Sequence, residues 1–101
     1  MIEIDDIMAF VDYHENPMKG SREILQSEYL QKIGVVKETD ADVHIRGLCI
    51  QVSHPNQYPF QMDAWISKPF PGVVIKGKCQ CDGGSTGKCK HSVAMLRCLI
   101  K

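Results

Sequence analysis

The spacing of hydrophobic residues near the N-terminus is helical. Four apolar residues follow the i, i+3, i+4, i+7 pattern of one helix face: Ile4, Ile7, Met8 and Val11. We expect this helix to end near His14, because Pro17 disfavours helical backbone at the residue before it. Ser21 is predicted to cap a second, shorter helix that carries Ile24 and Leu25.

From about Tyr29 onward the apolar residues alternate with polar ones, which predicts strands rather than helices. Three strands are expected at 30–36, 43–52 and 60–66. In the second of these the apolar positions change from odd to even near Gly47, and this change predicts a β-bulge.

A fourth predicted strand leads into a group of cysteines. Its odd positions share one face: Val73, Ile75, Gly77, Cys79 and Cys81. We expect the alternation that buries the two aliphatic residues to carry both thiols to the same side, with Lys76 and Lys78 on the other. A closing helix is predicted to start near Cys89. The fold class is therefore α+β, with N-terminal helices, a small antiparallel sheet and a C-terminal helix.

Composition and length limit the class of protein. The chain has 101 residues, of which 44% are hydrophobic and 24% charged, which is typical of one globular domain. No apolar run approaches the length of a membrane span, and the first residues are acidic where a signal peptide is basic. We expect a soluble, intracellular protein without a membrane partner. In that compartment clustered cysteines bind metals or do redox chemistry more often than they form disulfides.

The segment CQCDGGSTGKCKH, residues 79–91, has the composition of a metal site. A tetrahedral zinc site needs four nitrogen or sulfur ligands. Cys79 and Cys81 can supply two from the strand, and Cys89 and His91 can supply two from the start of the helix. The intervening residues 82–88 include three glycines, which allow the chain to reverse closely around an ion. The sequence therefore predicts one structural Zn²⁺.

Other chemistries fit this segment less well. A phosphate-binding P-loop and a zinc deaminase each require motifs that the chain lacks, and neither cysteine pair has the C-x-x-C spacing of a thioredoxin-like centre. Cys89 and His91 are conceivable as a nucleophile and its base. Residues two apart on a helix do not face each other, however, and nothing obvious orients the imidazole. Disulfides, free thiols and catalysis remain the alternatives to zinc.

The C-x-C…C-x-H pattern followed by Ala94 resembles the SWIM zinc finger, a family named after chromatin-remodelling ATPases, Mutator-type transposases and a kinase. The motif covers roughly residues 77–99, and a weaker similarity to transposon- and virus-associated proteins extends back to about Ser27. The resemblance implies that Cys79, Cys81, Cys89 and His91 are the ligands and that the role is binding, not catalysis. Together with the hydrophobic pattern, this predicts a single domain 1–101 made of a helical segment 1–27, strands 28–76 and a SWIM-type finger 77–101.

The other two cysteines, the tryptophan and the remaining histidines are expected to have structural roles. Cys98 is too far along the helix to ligate the same ion and is predicted to pack in the core, as is Cys49 on its strand. Trp65 is interpreted as packing under the N-terminal helix, with an exposed stacking platform as the alternative. The remaining histidines are expected at the surface or in turns: His14, His44 and His54.

The net charge is zero, but residues 1–50 carry ten acidic and five basic residues while 51–101 carry two and seven. The half with the cysteines is basic, which is compatible with a polyanionic partner. One hypothesis is a nucleic-acid-binding module that contacts DNA or RNA phosphates through Lys76, Lys78, Lys88 and Lys90, in a nuclear, transposon-related or recombination setting. The other is a protein-interaction module. We expect no small-molecule substrate and no enzymatic activity, because no catalytic constellation is evident.

Overall fold

The structure is a computed structural model and describes residues 1–51, 56–81 and 88–100. The helices and strands follow the chain in this order: α1 (Ile4–Phe10), α2 (Glu15–Gln26), β1 (Leu30–Glu38), β2 (Asp42–Cys49), β3 (Phe60–Ser67), β4 (Val74–Cys79) and α3 (Lys90–Arg97). The strands form one antiparallel sheet in the order β1-β2-β3-β4. The predicted α+β class is confirmed. None of the helices in the described residues is long and apolar enough to cross a membrane.

The predicted boundary between the first two helices is wrong. α2 begins at Glu15, six residues before the expected cap, and Pro17 is its third residue. The first N–H groups of a helix have no intrahelical partner, so a proline there removes no hydrogen bond. α1 ends instead where the chain turns through Asp12 and Tyr13, whose φ angles are 56° and 60°. Ser21 is therefore a buried residue within α2.

One face of the sheet forms the core with the helices. Alternate residues of β2 and β3 are buried on this face: Val43, Ile45, Met62, Ala64 and Ile66. The central residues of α3, from Val93 to Leu96, are all fully buried against them. α2 packs against α3 and adds Ile24 to the same core.

The expected bulge near Gly47 is wrong, because the register of β2 with β3 is unbroken. The buried face of β2 therefore keeps to odd positions as far as Cys49. The irregularities lie in the neighbouring strands: Gln31 and Val36 are left out of the pairing in β1, and Ile75 is left out between two paired residues of β4. An extra residue in a strand reverses which side chains face the core. Val73 and Ile75 are consequently exposed, whereas Gly77 and Cys79 face inward.

Candidate metal centre

The end of β4 and the start of α3 bring four metal-ligating side chains together. Cys79 is the last residue of β4, and Cys81 follows two residues later. Cys89 is the N-cap of α3, and His91 is in its first turn. One ligand atom from each of the four lies within 4.8 Å of the others. These are the four ligands that the sequence predicted.

The size of the cluster suits a single ion. A tetrahedron with metal–sulfur bonds of 2.3 Å has edges of about 3.8 Å, so small side-chain movements bring all four atoms to bonding distance of one centre. Cys79 and His91 are buried, with 8% and 7% exposure, while Cys81 and Cys89 are half-buried. The four residues can hold one metal ion.

The imidazole of His91 is not satisfied by the described protein groups. Its Nδ1 is buried and has no hydrogen-bond partner among them. The ring is held edge-on against Phe60, with centroids 5.1 Å apart and planes at 63°. A buried polar nitrogen is costly unless something pairs with it. An imidazole whose Nδ1 is unpaired, beside three thiols, is the condition expected of a metal ligand.

The surroundings of the thiols favour a thiolate. A hydrogen bond from Cys79 lowers the pKa of Cys89 below its ordinary value, and the same bond raises the pKa of Cys79. Hydrogen bonds with the backbone and the hydroxyl of Ser92 also lower the pKa of Cys89, and the hydroxyl oxygen lies 3.7 Å from Sγ. The thiolate is the form of cysteine that binds metals. The cluster is thus prepared to take up a cation.

Cys89 and His91 were expected not to face each other, and this expectation is wrong. It assumed helical backbone at both residues, whereas Cys89 has the extended backbone of an N-cap, with φ −91° and ψ 168°. Its thiol is therefore directed back toward the imidazole, and a hydrogen bond between the two side chains contributes to the lowered pKa of Cys89.

The other two cysteines lie outside this group. Cys49 is a fully buried residue of β2, as predicted, and burial raises its pKa to about 11. Cys98 is exposed at the end of α3, so the prediction that it packs in the core is wrong. The helix ends one residue earlier, at Arg97, and Cys98 is its C-cap.

The four lysines proposed for nucleic-acid contact divide between two surfaces. Lys76 and Lys78 lie on the sheet face opposite the thiols, as expected, and both are exposed. Lys88 forms an ion pair with Asp12, with Nζ 3.1 Å from Oδ2. Lys90 is half-buried where α3 begins.

On the face of the sheet opposite the core, the structure brings together residues that no sequence pattern connects. His44 is not in a turn: its Nε2 is 2.7 Å from Oδ1 of Asp63, and Arg46 Nε donates to the same oxygen at 2.9 Å. Trp65 also lies on this face, stacked on His44 and covered by Lys76, rather than under the N-terminal helix. Only the pairing of β2, β3 and β4 makes these residues neighbours, and no sequence motif marks them.

Two predictions fall on segments outside the described residues. These are the reversal of the chain through the glycine-rich segment 82–87, and the location of His54. A scan of family models, a search of curated proteins and a search of solved structures each returned no match for the chain.

Proposed function

We propose that Cys79, Cys81, Cys89 and His91 hold one structural Zn²⁺ in a recognition module without catalytic activity. The observation that carries this proposal is the convergence of three thiols and one imidazole within 4.8 Å. Soft thiolate ligands with one imidazole favour zinc over hard cations such as Mg²⁺ or Ca²⁺. Four protein ligands fill a tetrahedral site, and a closed site is typical of structural zinc.

A metal at this site would hold two parts of the fold together. It joins the end of β4 to α3, the helix whose residues Val93–Leu96 are buried in the core. Structural zinc contributes roughly 10–16 kcal/mol of apparent binding free energy. This exceeds or matches the roughly 5–15 kcal/mol net stability of a whole domain. Docking of α3 is therefore expected to depend on the ion.

The test of this proposal is metal analysis of the purified protein and of two cysteine variants. We expect one zinc per native chain by elemental analysis. Cys81→Ser is expected to lose the metal and part of the helical circular dichroism. Cys98→Ala, at an exposed cysteine outside the cluster, is the matched control and should keep full zinc content. Native protein without zinc, or zinc lost only from the Cys98 variant, would contradict the assignment.

The partner that we propose is nucleic acid, contacted mainly through phosphates. A zinc-bound Cys₃His site carries a net charge of −1, and adjacent lysines offset it. The exposed Lys76 and Lys78 lie away from the metal, so their charge is free for a polyanion. The resemblance to SWIM fingers supports a setting of transposition or recombination. Affinity should fall steeply with salt concentration, because each phosphate contact releases a counterion.

A protein partner is the second candidate, and it is favoured by one observation. β1 is an edge strand in which Val35 and Val36 are 54% and 48% exposed. An exposed edge strand with apolar side chains is a template for pairing with another chain. Replacing Val35 with Lys is expected to abolish partner binding by this edge and to leave nucleic-acid binding intact. Retention of a captured protein partner by that variant would exclude the β1 edge.

A further inference from the structure

The face of the sheet opposite the core gathers positive charge from both halves of the chain. In an antiparallel sheet, directly paired residues have their side chains on the same face. The register therefore assigns five exposed cations to this open face: Lys32, Lys37, Arg46, Lys76 and Lys78. The first three come from the acidic half of the sequence and were not predicted to contact a partner.

Little negative charge opposes these cations. The carboxylates at strand positions on the open face are Asp42 and Asp63. Asp63 is 7% exposed and already accepts hydrogen bonds from Arg46 and His44. A chain whose net charge is zero thus presents one face on which accessible cations outnumber accessible anions. Such a face attracts a polyanion.

The open face also carries the one tryptophan of the chain. His44 stacks on the Trp65 indole, with ring centroids 4.1 Å apart and planes at 13°. Lys76 approaches the ring from the opposite neighbouring strand, with Nζ 4.4 Å from its centroid. A lysine held by a cation–π contact can exchange the ring for a phosphate, because the contact of an exposed cation is weak. The indole face that it leaves can then stack on a base.

Two shallow hollows lie on the surface around these residues. One hollow of about 370 Å³ is lined by residues of β2, β3 and β4 that include Asp63, Trp65 and Lys78. A second hollow of about 370 Å³ is lined by residues of β1 and β2 that include Lys32. Arg46 and Gln61 line both hollows, so the two adjoin and cross the strands.

We propose that this open face binds a single polynucleotide strand, with its four lysines on the phosphates and one base stacked on Trp65, while Arg46 stays paired with Asp63. The inference rests on the proposed nucleic-acid function and deepens it by assigning the surface and the strand state. A single strand offers unpaired bases for stacking, whereas in a duplex both faces of each base are occupied. The open face has an aromatic ring and a broad hollow but no helix that could enter a major groove.

The first experiment measures binding of labelled dT₂₀, U₂₀ and a 20-base-pair duplex to the zinc-loaded full chain, by anisotropy at two salt concentrations. We expect at least one single strand to bind ten times more tightly than the duplex. Saturation with that strand should also change the fluorescence of Trp65, the only tryptophan. Equal or tighter duplex binding, or unchanged fluorescence at saturation, would overturn the proposal.

Matched charge reversals locate the surface. Two double variants each reverse two cations on the open face: Lys32→Glu/Lys37→Glu and Lys76→Glu/Lys78→Glu. A third double variant reverses two exposed cations on α2: Lys19→Glu/Arg22→Glu. Each open-face pair is expected to weaken single-strand binding at least tenfold, and the α2 pair less than threefold. Zinc content and circular dichroism verify that all three variants are folded, and Trp65→Leu tests the stacking contribution without a charge change.

The outcomes separate this proposal from the broader one. If Lys88→Glu/Lys90→Glu, with zinc content and circular dichroism unchanged, abolished binding while both open-face pairs bound normally, nucleic-acid recognition would stand and the open face would be the wrong surface. If the native protein bound none of the three probes at low salt, the nucleic-acid function itself would fail.

Discussion

At the scale of single residues, Asp63 is a carboxylate buried on the open face of the sheet. Burial alone would raise its pKa, but hydrogen bonds from Arg46, His44 and Gln61 outweigh that effect and hold the pKa below its usual value. These donors also fix the positions of the side chains around Trp65. Asp63 therefore orders the open face without being exposed on it.

Replacing Asp63 with Ala is expected to destabilise the protein by about 1–3 kcal/mol at pH 7, because Arg46 and His44 lose their acceptor. The folded pKa of Asp63 is below the unfolded value of about 3.9. The contribution of ionised Asp63 to stability is therefore complete at pH values above the unfolded pKa and is lost as the pH falls through the folded pKa. Denaturant unfolding measures the effect, with the exposed Asp40→Ala as control. Equal stability of the two variants at pH 7 would contradict this role.

Gly72 is a second residue whose identity is set by its contacts. A Cβ at this position would lie 1.8 Å from the carbonyl oxygen of Ser67, which is backbone and cannot rotate away. Gly72→Ala is expected to displace the β3–β4 connection and to cost about 1–3 kcal/mol, the usual range for overpacking. A Cβ on Gly34 would meet nothing within 4 Å, so Gly34→Ala is the matched control. Thermal unfolding should show a lower Tm for the first variant only.

At the scale of elements, the contact between α2 and α3 positions two of the candidate metal ligands. The Ser21 hydroxyl donates to the Met18 carbonyl and accepts from Arg97 Nη1, at 2.7 and 3.2 Å. Near the other end of the contact, a Cβ on Gly20 would lie 2.8 Å from Cβ of Lys90. Lys90 lies between the ligands Cys89 and His91. The close approach of the two helices thus fixes where the first turn of α3 begins.

Gly20→Ala is expected to weaken metal binding as well as stability. Glycine to alanine within a helix ordinarily stabilises by about 1 kcal/mol, but here the added Cβ pushes against Lys90 and shifts the start of α3. We expect a net loss of about 1–3 kcal/mol and weaker retention of zinc against a competing chelator. Lys19→Ala, at the exposed neighbouring position, should leave both quantities unchanged. A more stable Gly20 variant with unchanged zinc affinity would show that the helices adjust freely.

At the scale of the whole molecule, α3 connects the parts. It packs against α2 on one side and against the core face of the sheet on the other, and its first turn carries two of the four candidate metal ligands. An isolated parallel β-bridge between Ile2 and Ile100 also connects the two ends of the described chain. Loss of α3 docking would therefore open the core to water.

Removal of the metal with a strong chelator is expected to lower Tm markedly and to expose apolar surface, because the free energy of metal binding is also free energy of folding. Dye binding and circular dichroism at constant pH measure this. The same chelator saturated with zinc beforehand is the control. An unfolding curve that stays the same after elemental analysis has verified metal loss would show that the site is not structural.

The four ligands illustrate what local sequence can predict. Cys79 ends β4 and Cys81 follows two residues later, beyond the end of the strand, while Cys89 and His91 lie at a helix start, so each pair is brought together by short-range geometry. The helix boundary at Pro17 and the exposure of Ile75 were predicted wrongly, because each depends on more than the local pattern. Proline is accepted in a first helical turn, and a bulge reverses the face that alternation assigns.

The sequence by itself determined the α+β class, the strand segments and the set of side chains that converge on the candidate metal centre. These follow from hydrophobic period and residue spacing, which act over a few residues. Only the tertiary structure decided that Lys32, Lys37 and Arg46 share a face with Trp65, Lys76 and Lys78. Charge counted along the chain separated these cations into an acidic and a basic half. Strand pairing brings them together, because paired residues can lie tens of positions apart along the chain. The register of that pairing is fixed by burial of the apolar side chains on the core face of the sheet.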